Sequence, residues 1–311
     1  MVSTSAGALF CRFKEYYGIF CIDCQTLRQA SKLISIVLPA YNEEAAIGPL
    51  FARLHVVAHE LINEELEIIL ADDGSTDATV DAADQIAKRL GLRLHIVQHG
   101  NNRGLGDTLK MGLTTFIERS GPGDFACTMD CDNTQPPELI GSMLRLAREN
   151  YLDIVVASRY QPGAAVKGLS YFRQTMSQGA SLLFRIFTPI SGLKDYTCGF
   201  RLYSWNFLKR LQRHYADALF TERGFACMAD LLLKSRVLQP RVNEVAMVLR
   251  YDEKLGCSKM KVLRTVAQTL RLVARHTLFA KNMKASASLP STIESAEESS
   301  ERIGLQQTAQ R

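Results

Sequence analysis

The sequence predicts an α/β protein with a mostly parallel central sheet flanked by helices. From residue 33 to about residue 160, short runs of β-branched and other apolar residues alternate with amphipathic stretches of ten or more residues. This alternation is typical of βα units joined by right-handed crossovers. Polar and acidic residues also follow the first, second and fourth apolar runs. Because open α/β sheets bind ligands beyond the carboxyl ends of their strands, these residues mark the predicted binding edge.

The first five strands are predicted from continuous apolar runs, which are typical of parallel strands that are buried on both faces. They are expected at residues 33–38, 66–71, 92–98, 125–129 and 153–158. Pro39 ends the first run, and Glu43 and Glu44 suit the first turn of a helix that continues to about residue 63. Ser75 or Asp77 is expected to cap the second helix, which ends near residue 90. Further helices are expected from about residue 107 and over residues 137–150.

Beyond residue 160 the pattern changes to helices separated by loops. Helices are predicted over residues 171–187, 205–214, 225–233 and 259–279, with a loop over 195–201 that enters a short strand, and one more strand over 241–250. The tail is rich in Ser, Glu and Gln, a composition typical of disorder. We therefore divide the chain into an N-terminal extension (1–31), a globular domain (32–265), a C-terminal amphipathic helix (266–283) and a disordered tail (284–311).

Composition limits the class of protein. Of the 311 residues, 47% are hydrophobic and 22% are charged, and no apolar run is long enough to span a bilayer. Arg12 and Lys14 interrupt the N-terminal apolar residues, so no signal peptide is predicted. Eight cysteines at irregular spacings indicate reduced intracellular thiols, and the single Cys21–Cys24 pair does not favour zinc. The net charge of +5 fits anionic ligands or a membrane surface, and we expect no nucleic-acid partner.

Asp130 and Asp132 are the centre of the predicted site. They follow the apolar run over residues 125–129, and Pro136 and Pro137 then prevent further sheet pairing. In a strand, residues i and i+2 lie on the same face, so both carboxylates can converge on one point beyond the strand's end. Such hard oxygen ligands suit Mg²⁺ or Mn²⁺ that carries a diphosphate. For this motif taken alone, a solvated acidic turn is the alternative.

Three strand ends together resemble the family 2 glycosyltransferases, which have the GT-A fold and bind nucleotide-diphosphate sugars. They are residues 39–43, 72–77 and 130–132, each after a predicted buried strand. The resemblance implies that the first two loops hold the nucleoside and that the aspartates hold Mg²⁺ or Mn²⁺, a Lewis acid for the leaving diphosphate. The implied donor-binding residues are Pro39, Tyr41, Glu43, Asp72, Asp73, Gly104, Gly106, Asp130 and Lys259. The two glycines would let the backbone approach the nucleotide closely.

Within that family, the second half resembles the dolichol-phosphate mannose synthases and their bacterial polyprenyl-phosphate relatives. The matching segments are residues 157–160, 168–173, Ser177 and 195–203. The resemblance implies that Arg159, Arg173 and Ser177 hold the acceptor phosphate, and that these three act with Asp132 in catalysis. Arg173 and Ser177 are i, i+4 on one helix face, and guanidinium groups suit phosphate oxygens. Taken singly, each arginine could instead form a surface or core-edge ion pair.

Residues 249–260 resemble the Gly-X-Ser-Lys segment of the same enzymes, in which Ser258 and Lys259 would close over the donor phosphates. The family often has an arginine three residues before the glycine, where this chain has Glu253. Lys254 and Arg250 are therefore the candidate cations for that position.

The implied reaction moves a hexose from a nucleotide-diphosphate sugar to a polyprenyl phosphate (dolichyl or undecaprenyl) in a single displacement with inversion. A phosphate acceptor is already anionic near neutral pH, so positioning and leaving-group stabilisation should dominate. One alternative is transfer to a hydroxyl of a glycan or glycolipid. That reaction needs a base, and residues 227–230 lack the Glu of the usual Glu-Asp pair. The other alternative is an inactive nucleotide-sugar-binding scaffold.

A polyprenyl acceptor implies contact with a membrane. We expect a cytoplasmic protein, peripheral at the cytoplasmic face, that binds a membrane surface or a membrane partner protein. Over residues 263–279, apolar residues stand among Arg264, Arg271, Arg275 and Lys281, as in an interfacial helix. An amphipathic helix packed on the domain is the alternative for this segment. The helix over residues 171–187 is the other candidate for membrane contact.

Overall fold

The computed structural model describes residues 32–61, 64–222, 224–254 and 267–277. The predicted N-terminal extension, Ser258, Lys259 and the tail lie outside these ranges. The described helices are α1 (Glu44–Glu60), α2 (Thr79–Leu90), α3 (Leu105–Arg119), α4 (Leu139–Glu149), α5 (Tyr171–Phe187), α6 (Trp205–Tyr215), α7 (Ala226–Ser235) and α8 (residues 267–277). The described strands are β1 (Lys32–Ala40), β2 (Glu64–Asp72), β3 (Arg93–Gln98), β4 (Phe125–Thr128), β5 (Ile154–Ser158), β6 (Ala165–Lys167), β7 (Arg201–Ser204), β8 (Val242–Ala246) and β9 (Val248–Arg250).

The main sheet has the strand order β3-β2-β1-β4-β7-β5-β8. Strand β7 is antiparallel to both of its neighbours, and the other pairs are parallel. The register aligns Ala40 with Asp72, so β1 and β2 end at the same edge. Beyond β7, Ser158 pairs with Ala246, where β5 and β8 end together. The predicted mostly parallel sheet with strand ends gathered at one edge is therefore confirmed.

The core lies around β1 and β2. Ile36, Val37 and Leu38 of β1 have no exposed surface. Helix α3 packs closely over these strands because Gly112 lacks a side chain: a Cβ there would lie 2.5 Å from Val37 Cγ1. Helix α1 packs against α2 and α4, whereas α3 packs against α6 and α7. The two groups of helices cover the sheet and leave its carboxyl edge open.

The single strand predicted over residues 241–250 is wrong, because this segment forms two strands in different sheets. Strand β8 pairs with β5, whereas β9 pairs with β6 in a separate two-stranded sheet. Between them, Met247 is fully buried, its N–H donates to the Ser158 carbonyl, and its carbonyl accepts from Ala165 N–H. The chain therefore changes pairing partner at Met247, and β9 directs residues 251–254 back towards the carboxyl edge of the main sheet.

Helix α8 is packed on the domain beside α7. Its Thr269, Leu272 and Val273 are buried, and Arg275 and His276 bond to Asp230 of α7. Over the described part of the predicted C-terminal helix, this arrangement supports a packed amphipathic helix rather than an interfacial one. Among the described residues, no helix is both long enough and apolar enough to cross a bilayer.

Candidate active site

A cavity of about 670 Å³ opens at the carboxyl edge of the sheet, between the strand-end loops, α5, α7 and α8. Most of the predicted site residues line it, namely Pro39, Tyr41, Glu43, Asp73, Gly104, Asp130, Asp132, Arg159, Arg173 and Ser177. Asp72 and Gly106 are buried but do not line this cavity. Of the two candidate cations, Lys254 lines the cavity, whereas Arg250 pairs with Asp252 outside it.

Hydrogen bonds join the loops after β1 and β2. Asn42 has a left-handed φ of 51°, its N–H donates to Ser75 Oγ at 2.9 Å, and its Oδ1 accepts from Thr76 N–H at 2.8 Å. Of the two predicted caps of α2, Ser75 is wrong, because its hydroxyl accepts from Asn42 instead. The N-cap position is Ala78, but Asp77 Oδ1 accepts from the N–H of Thr79, the first residue of the helix, at 3.0 Å. The bonds of Asn42 hold the first two loops in one fixed arrangement at the cavity rim.

Asp73 binds the backbone of the third loop. Its Oδ1 accepts from Arg103 N–H, and its Oδ2 accepts from Gly104 N–H, both at 2.8 Å. His99 Nδ1 lies 3.1 Å from the same Oδ1. The carboxylate thus brings the Gly104 backbone to the cavity, and a direct contact between Asp73 and a nucleoside stays a prediction.

The two carboxylates after β4 are oriented by their own loop. Asp130 N–H donates to Gln135 Oε1 at 2.9 Å, and Gln135 Nε2 donates to Asp130 Oδ2 at 2.8 Å. Asp132 Oδ1 accepts from the hydroxyl and the N–H of Thr134, at 2.7 and 3.2 Å. Each carboxylate is therefore held by its own loop through one oxygen, which is Oδ2 of Asp130 and Oδ1 of Asp132.

Lys254 supplies a cation to this pair of carboxylates. Its ammonium group contacts Asp132 Oδ2 and lies 5.6 Å from the centroid of the Tyr251 ring. Burial and the neighbouring Asp132 charge raise the pKa of Asp130 to about 7, although the charge of Lys254 opposes this shift. A further cation beside Asp130 would lower that pKa and favour two charged carboxylates.

Arg159 is held by a buried carboxylate. Its Nε and Nη2 donate to the two carboxylate oxygens of Asp195 at 2.8 and 2.6 Å. The Asp195 N–H in turn donates to Glu244 Oε1 at 2.7 Å. Burial alone would lower the pKa of the Arg159 guanidinium, but the Asp195 charge outweighs burial and raises this pKa above its ordinary value. The bidentate pair therefore fixes the plane of a charged guanidinium at the cavity wall.

Hydroxyl groups connect Arg159 to α5. Arg159 Nη2 donates to Thr197 Oγ1 at 2.6 Å, and Thr197 Oγ1 lies 3.2 Å from Ser177 Oγ. The Tyr160 hydroxyl donates to the same Ser177 Oγ at 3.1 Å. Arg173, one turn earlier on α5, forms no hydrogen bond or ion pair with another described residue. Two arginines and two hydroxyls thus converge on one side of the cavity, and one of the arginines has no carboxylate partner among the described residues.

Several residues that build this site have no role predicted from the sequence. Asp195 and Thr197 lie within the segment 195–203 that carried the resemblance, so the signal was present without a role. Gln135 is one residue before Pro136, and nothing in its spacing indicates that it holds Asp130. Tyr251 lines the cavity because β9, which precedes it, pairs with β6 in the separate two-stranded sheet.

Comparison with known proteins identifies the family. Residues 35–211, which are more than half of the chain, match the sequence model described as Glycosyl transferase family 2. The chain belongs to this family. The resemblance seen in the strand-end motifs is therefore confirmed.

Two curated proteins are similar over most of the chain. Dodecaprenyl-phosphate galacturonate synthase from Rhizobium johnstonii is 33% identical over 243 residues, which cover 78% of this chain and 65% of that protein. Dolichol-phosphate mannosyltransferase from Pyrococcus furiosus is 28% identical over 244 residues, which cover 78% of this chain and 63% of that protein. The alignments thus span slightly less than two thirds of each of these relatives.

Among solved structures, glucosyl-3-phosphoglycerate synthase from Mycobacterium tuberculosis, in complex with Mn²⁺, UDP and phosphoglyceric acid, matches with a TM-score of 0.53. The two chains are 20% identical, and the match covers 85% of this chain and 81% of that one. This similarity concerns the fold, and it confirms the predicted GT-A architecture of family 2.

Proposed function

We propose that this chain is an inverting glycosyltransferase that moves a hexose from a nucleotide-diphosphate sugar to a polyprenyl phosphate. One observation carries the proposal. The carboxylate pair, Asp130 and Asp132, lines the same cavity as the cationic wall of Arg159 and Arg173. A donor diphosphate and an acceptor phosphate are both anions, and one cavity that holds a carboxylate pair and a separate guanidinium pair suits both. The two curated relatives, a dodecaprenyl-phosphate galacturonate synthase and a dolichol-phosphate mannosyltransferase, support this assignment.

The carboxylate pair fits a divalent cation. Asp130 Oδ1 and Asp132 Oδ2 are not bound by their own loop, and Mg²⁺ and Mn²⁺ prefer carboxylate and phosphate oxygens. Because Lys254 contacts Asp132 Oδ2, a cation bound there would share that oxygen with the ammonium group or displace it. Among the described residues there is no group of three or more His, Cys, Asp or Glu side chains that could hold a metal. The remaining ligands would therefore come from the donor diphosphate and from water. When bound, the cation would stabilise the departing nucleoside diphosphate.

The cationic wall of Arg159 and Arg173, which we call the acceptor wall, would position the acceptor phosphate and would not act as a base. In the proposed reaction, an oxygen of the acceptor phosphate forms a bond to the anomeric carbon while the bond from that carbon to the diphosphate oxygen breaks. The phosphate is already anionic, so no proton has to be removed. Arg159, fixed by Asp195, and Arg173 would hold the phosphate oxygens, and Ser177 would donate a further hydrogen bond.

Transfer to a hydroxyl is the second candidate, and the contacts of Asp230 disfavour it. A base for a hydroxyl must reach the acceptor with a free carboxylate oxygen. Asp230 is buried, and its two oxygens bond to Lys234, Arg275, His276 and Thr221. Asp230 also does not line the cavity. A carboxylate surrounded by three basic side chains makes a poor proton acceptor.

The outer face of α5 supports peripheral binding to a membrane surface, which we propose is the cytoplasmic face. Tyr171, Phe172, Leu182 and Ile186 are between 52% and 81% exposed and share one uncharged face of this helix. Arg173 and Ser177 line the cavity from the opposite side of α5. An apolar helix face suits the boundary between lipid headgroups and acyl chains. Inserted there, α5 would bring the acceptor wall to the depth at which a polyprenyl phosphate presents its phosphate.

The test is an incubation of the purified protein with Mn²⁺ or Mg²⁺ and radiolabelled UDP-glucose, GDP-mannose or UDP-N-acetylglucosamine, with and without undecaprenyl phosphate. We expect label to enter the organic phase only when the lipid phosphate is present. Asp132→Ala should abolish transfer and keep the wild-type circular dichroism spectrum. Arg173→Ala should raise the acceptor KM about tenfold or more, since it removes charge-assisted hydrogen bonds.

Arg185→Ala, which removes an exposed arginine near the end of α5, is the matched control and should behave as wild type. Donor binding without lipid product would favour the hydroxyl acceptor. An absence of donor binding would contradict the proposed enzyme and would favour the alternative of an inactive scaffold. Full transfer by Asp132→Ala would contradict the metal role of the carboxylate pair.

A further inference from the structure

One wall of the cavity is built by a segment that lies outside the family match. The match ends at residue 211, whereas Gln268 and Thr269 of α8 line the cavity together with residues 224–226 and Ala229. The proposed reaction assigns no role to this wall. The nucleoside, the diphosphate and the acceptor phosphate each have other residues in the cavity.

The wall lies beside the carboxylate pair. Ala226 and Ala229 of α7 line the cavity, and Met228 of the same helix approaches Gly199, since a Cβ on Gly199 would lie 3.2 Å from Met228 Cε. The same Cβ position is 3.6 Å from Asp130 Oδ1. Gly199 thus lies between Met228 of α7 and Asp130, one of the two carboxylates that would hold the donor diphosphate. A hexose attached to that diphosphate would therefore have this wall within reach.

Gln268 provides the polar group on this wall. Its side-chain amide lies against the backbone of residue 224, because a Cβ on Gly224 would be 3.3 Å from Gln268 Oε1. The amide forms no hydrogen bond with another described residue. A glutamine amide offers two donors and an acceptor, a combination that suits the hydroxyl groups of a sugar. Ala226 and Ala229 of α7, which line the same cavity, have small side chains.

The position of Gln268 is fixed by the far end of α8. Arg275 Nη2 donates to Asp230 Oδ1 at 2.6 Å, and Arg275 Nη1 donates to Glu222 Oε1 at 3.1 Å. His276 Nε2 lies 3.0 Å from Asp230 Oδ1. Because Asp230 is on α7, these contacts hold α8 against the same helix that lines the cavity. We call the contacts of Asp230 with Arg275 and His276 the α7–α8 clasp.

We propose that Gln268 forms hydrogen bonds with the hydroxyl groups of the donor hexose, and that the α7–α8 clasp positions Gln268 at the cavity wall. This inference rests on the proposed donor class, a nucleotide-diphosphate sugar, and does not depend on the identity of the acceptor. It assigns sugar selection to a segment that the family match does not include.

The experiment compares dissociation constants for a nucleotide sugar and for its nucleoside diphosphate, measured by calorimetry on the full chain with Mn²⁺. The probes are UDP-glucose with UDP, and GDP-mannose with GDP. Gln268→Ala should raise the Kd of the preferred nucleotide sugar about three- to tenfold, as expected for one or two neutral hydrogen bonds. The Kd of the nucleoside diphosphate should stay within about twofold.

Arg275→Gln should weaken nucleotide-sugar binding in the same selective way, and Arg275→Lys, which keeps the charge, should restore most of it. Arg271→Gln, an exposed change on α8, is the matched control and should leave both constants unchanged. An equal loss for sugar and diphosphate, or no loss at all, would overturn the inference. So would a change confined to the KM of the polyprenyl phosphate. If wild-type protein makes no lipid product while the selective loss is still seen, the proposed acceptor fails and this inference stands.

Discussion

Replacing Asp230 with asparagine measures how much one buried carboxylate contributes to the stability of this fold. Asp230 is 1% exposed and accepts hydrogen bonds from Lys234 at 2.8 Å, Arg275 at 2.6 Å and Thr221 at 3.0 Å. Burial alone would raise its pKa. The hydrogen bonds from His276 and Lys234 and the charges of Lys234 and Arg275 outweigh burial and lower the pKa to about 2.

The magnitude follows from the linkage between protonation and folding. The ordinary pKa of an aspartate is 3.8, so a folded value of about 2 corresponds to roughly 2 kcal/mol of stability at pH 7. Because the folded pKa lies below the unfolded one, this contribution is complete above about pH 5. It is lost as the pH falls from 3.8 towards 2, and about half of it, or roughly 1 kcal/mol, remains at pH 3.

The assay is urea unfolding of wild type and Asp230→Asn at pH 7, 5, 4 and 3. We expect the difference in the free energy of unfolding to be at least about 2 kcal/mol at pH 7, because asparagine also leaves the buried Lys234 without its counter-charge. The difference should narrow below pH 4. Asp252→Asn, which removes an exposed partner of Arg250, should leave stability unchanged. A pH-independent difference, or none at pH 7, would refute the reasoning.

Two further substitutions test the packing of the sheet and the outer face of α5. Gly112→Ala should destabilise the protein by about 1 to 3 kcal/mol in urea unfolding, because its Cβ would overlap Val37, whereas Gly121→Ala meets open space and should cost nothing measurable. Ile186→Ser should lower binding to vesicles of anionic lipid several-fold in a flotation assay, since it removes apolar surface from the proposed membrane contact. The exposed Gln178→Ser is its control, and equal flotation of both variants would remove α5 from the membrane contact.

The strand ends could be predicted because each depends on local sequence. A buried run followed by polar residues gives a strand end, and the rules for parallel sheets gather such ends at one edge. The hydrogen-bond partners of Asp73, by contrast, could not be predicted in this way. The sequence indicates that its carboxylate lies at the edge, but its oxygens bond to Arg103 and Gly104 N–H groups thirty or so residues away. That contact depends on how the third loop folds, which local pattern does not encode.

Arginines show the same limit. Within the segment 195–203, Arg201 has the same chemistry as Arg159, yet Arg201 is fully buried and donates to the carbonyls of Tyr196 and Met228. Its role is to hold the strand β7 to the helix α7. Residue type cannot separate a guanidinium that binds backbone carbonyls from one that faces a cavity, because the difference lies in long-range packing.

The two arginines of the proposed acceptor wall, Arg159 and Arg173, differ in their surroundings, and this difference predicts different responses to substitution. The charge of Arg159 is balanced by Asp195, so its contribution is the fixed plane of the guanidinium, which a lysine cannot reproduce. Arg173 has no ion-pair partner among the described residues, so its main contribution is charge, which a lysine retains.

We therefore expect Arg173→Lys to keep the acceptor KM within about threefold of wild type, whereas Arg159→Lys should raise it about tenfold or more. The larger effect follows because a lysine ammonium cannot keep both hydrogen bonds to Asp195, so its charge is no longer held in the plane that the guanidinium presents to the acceptor. Added salt should weaken the acceptor in wild type and in Arg159→Lys, and should do so less in Arg173→Ala, which lacks the unbalanced charge. If both lysine variants change the acceptor KM by the same factor, the two arginines do not contribute to acceptor binding in these different ways. The ion pair between Arg159 and Asp195 would then contribute to folding rather than to acceptor binding.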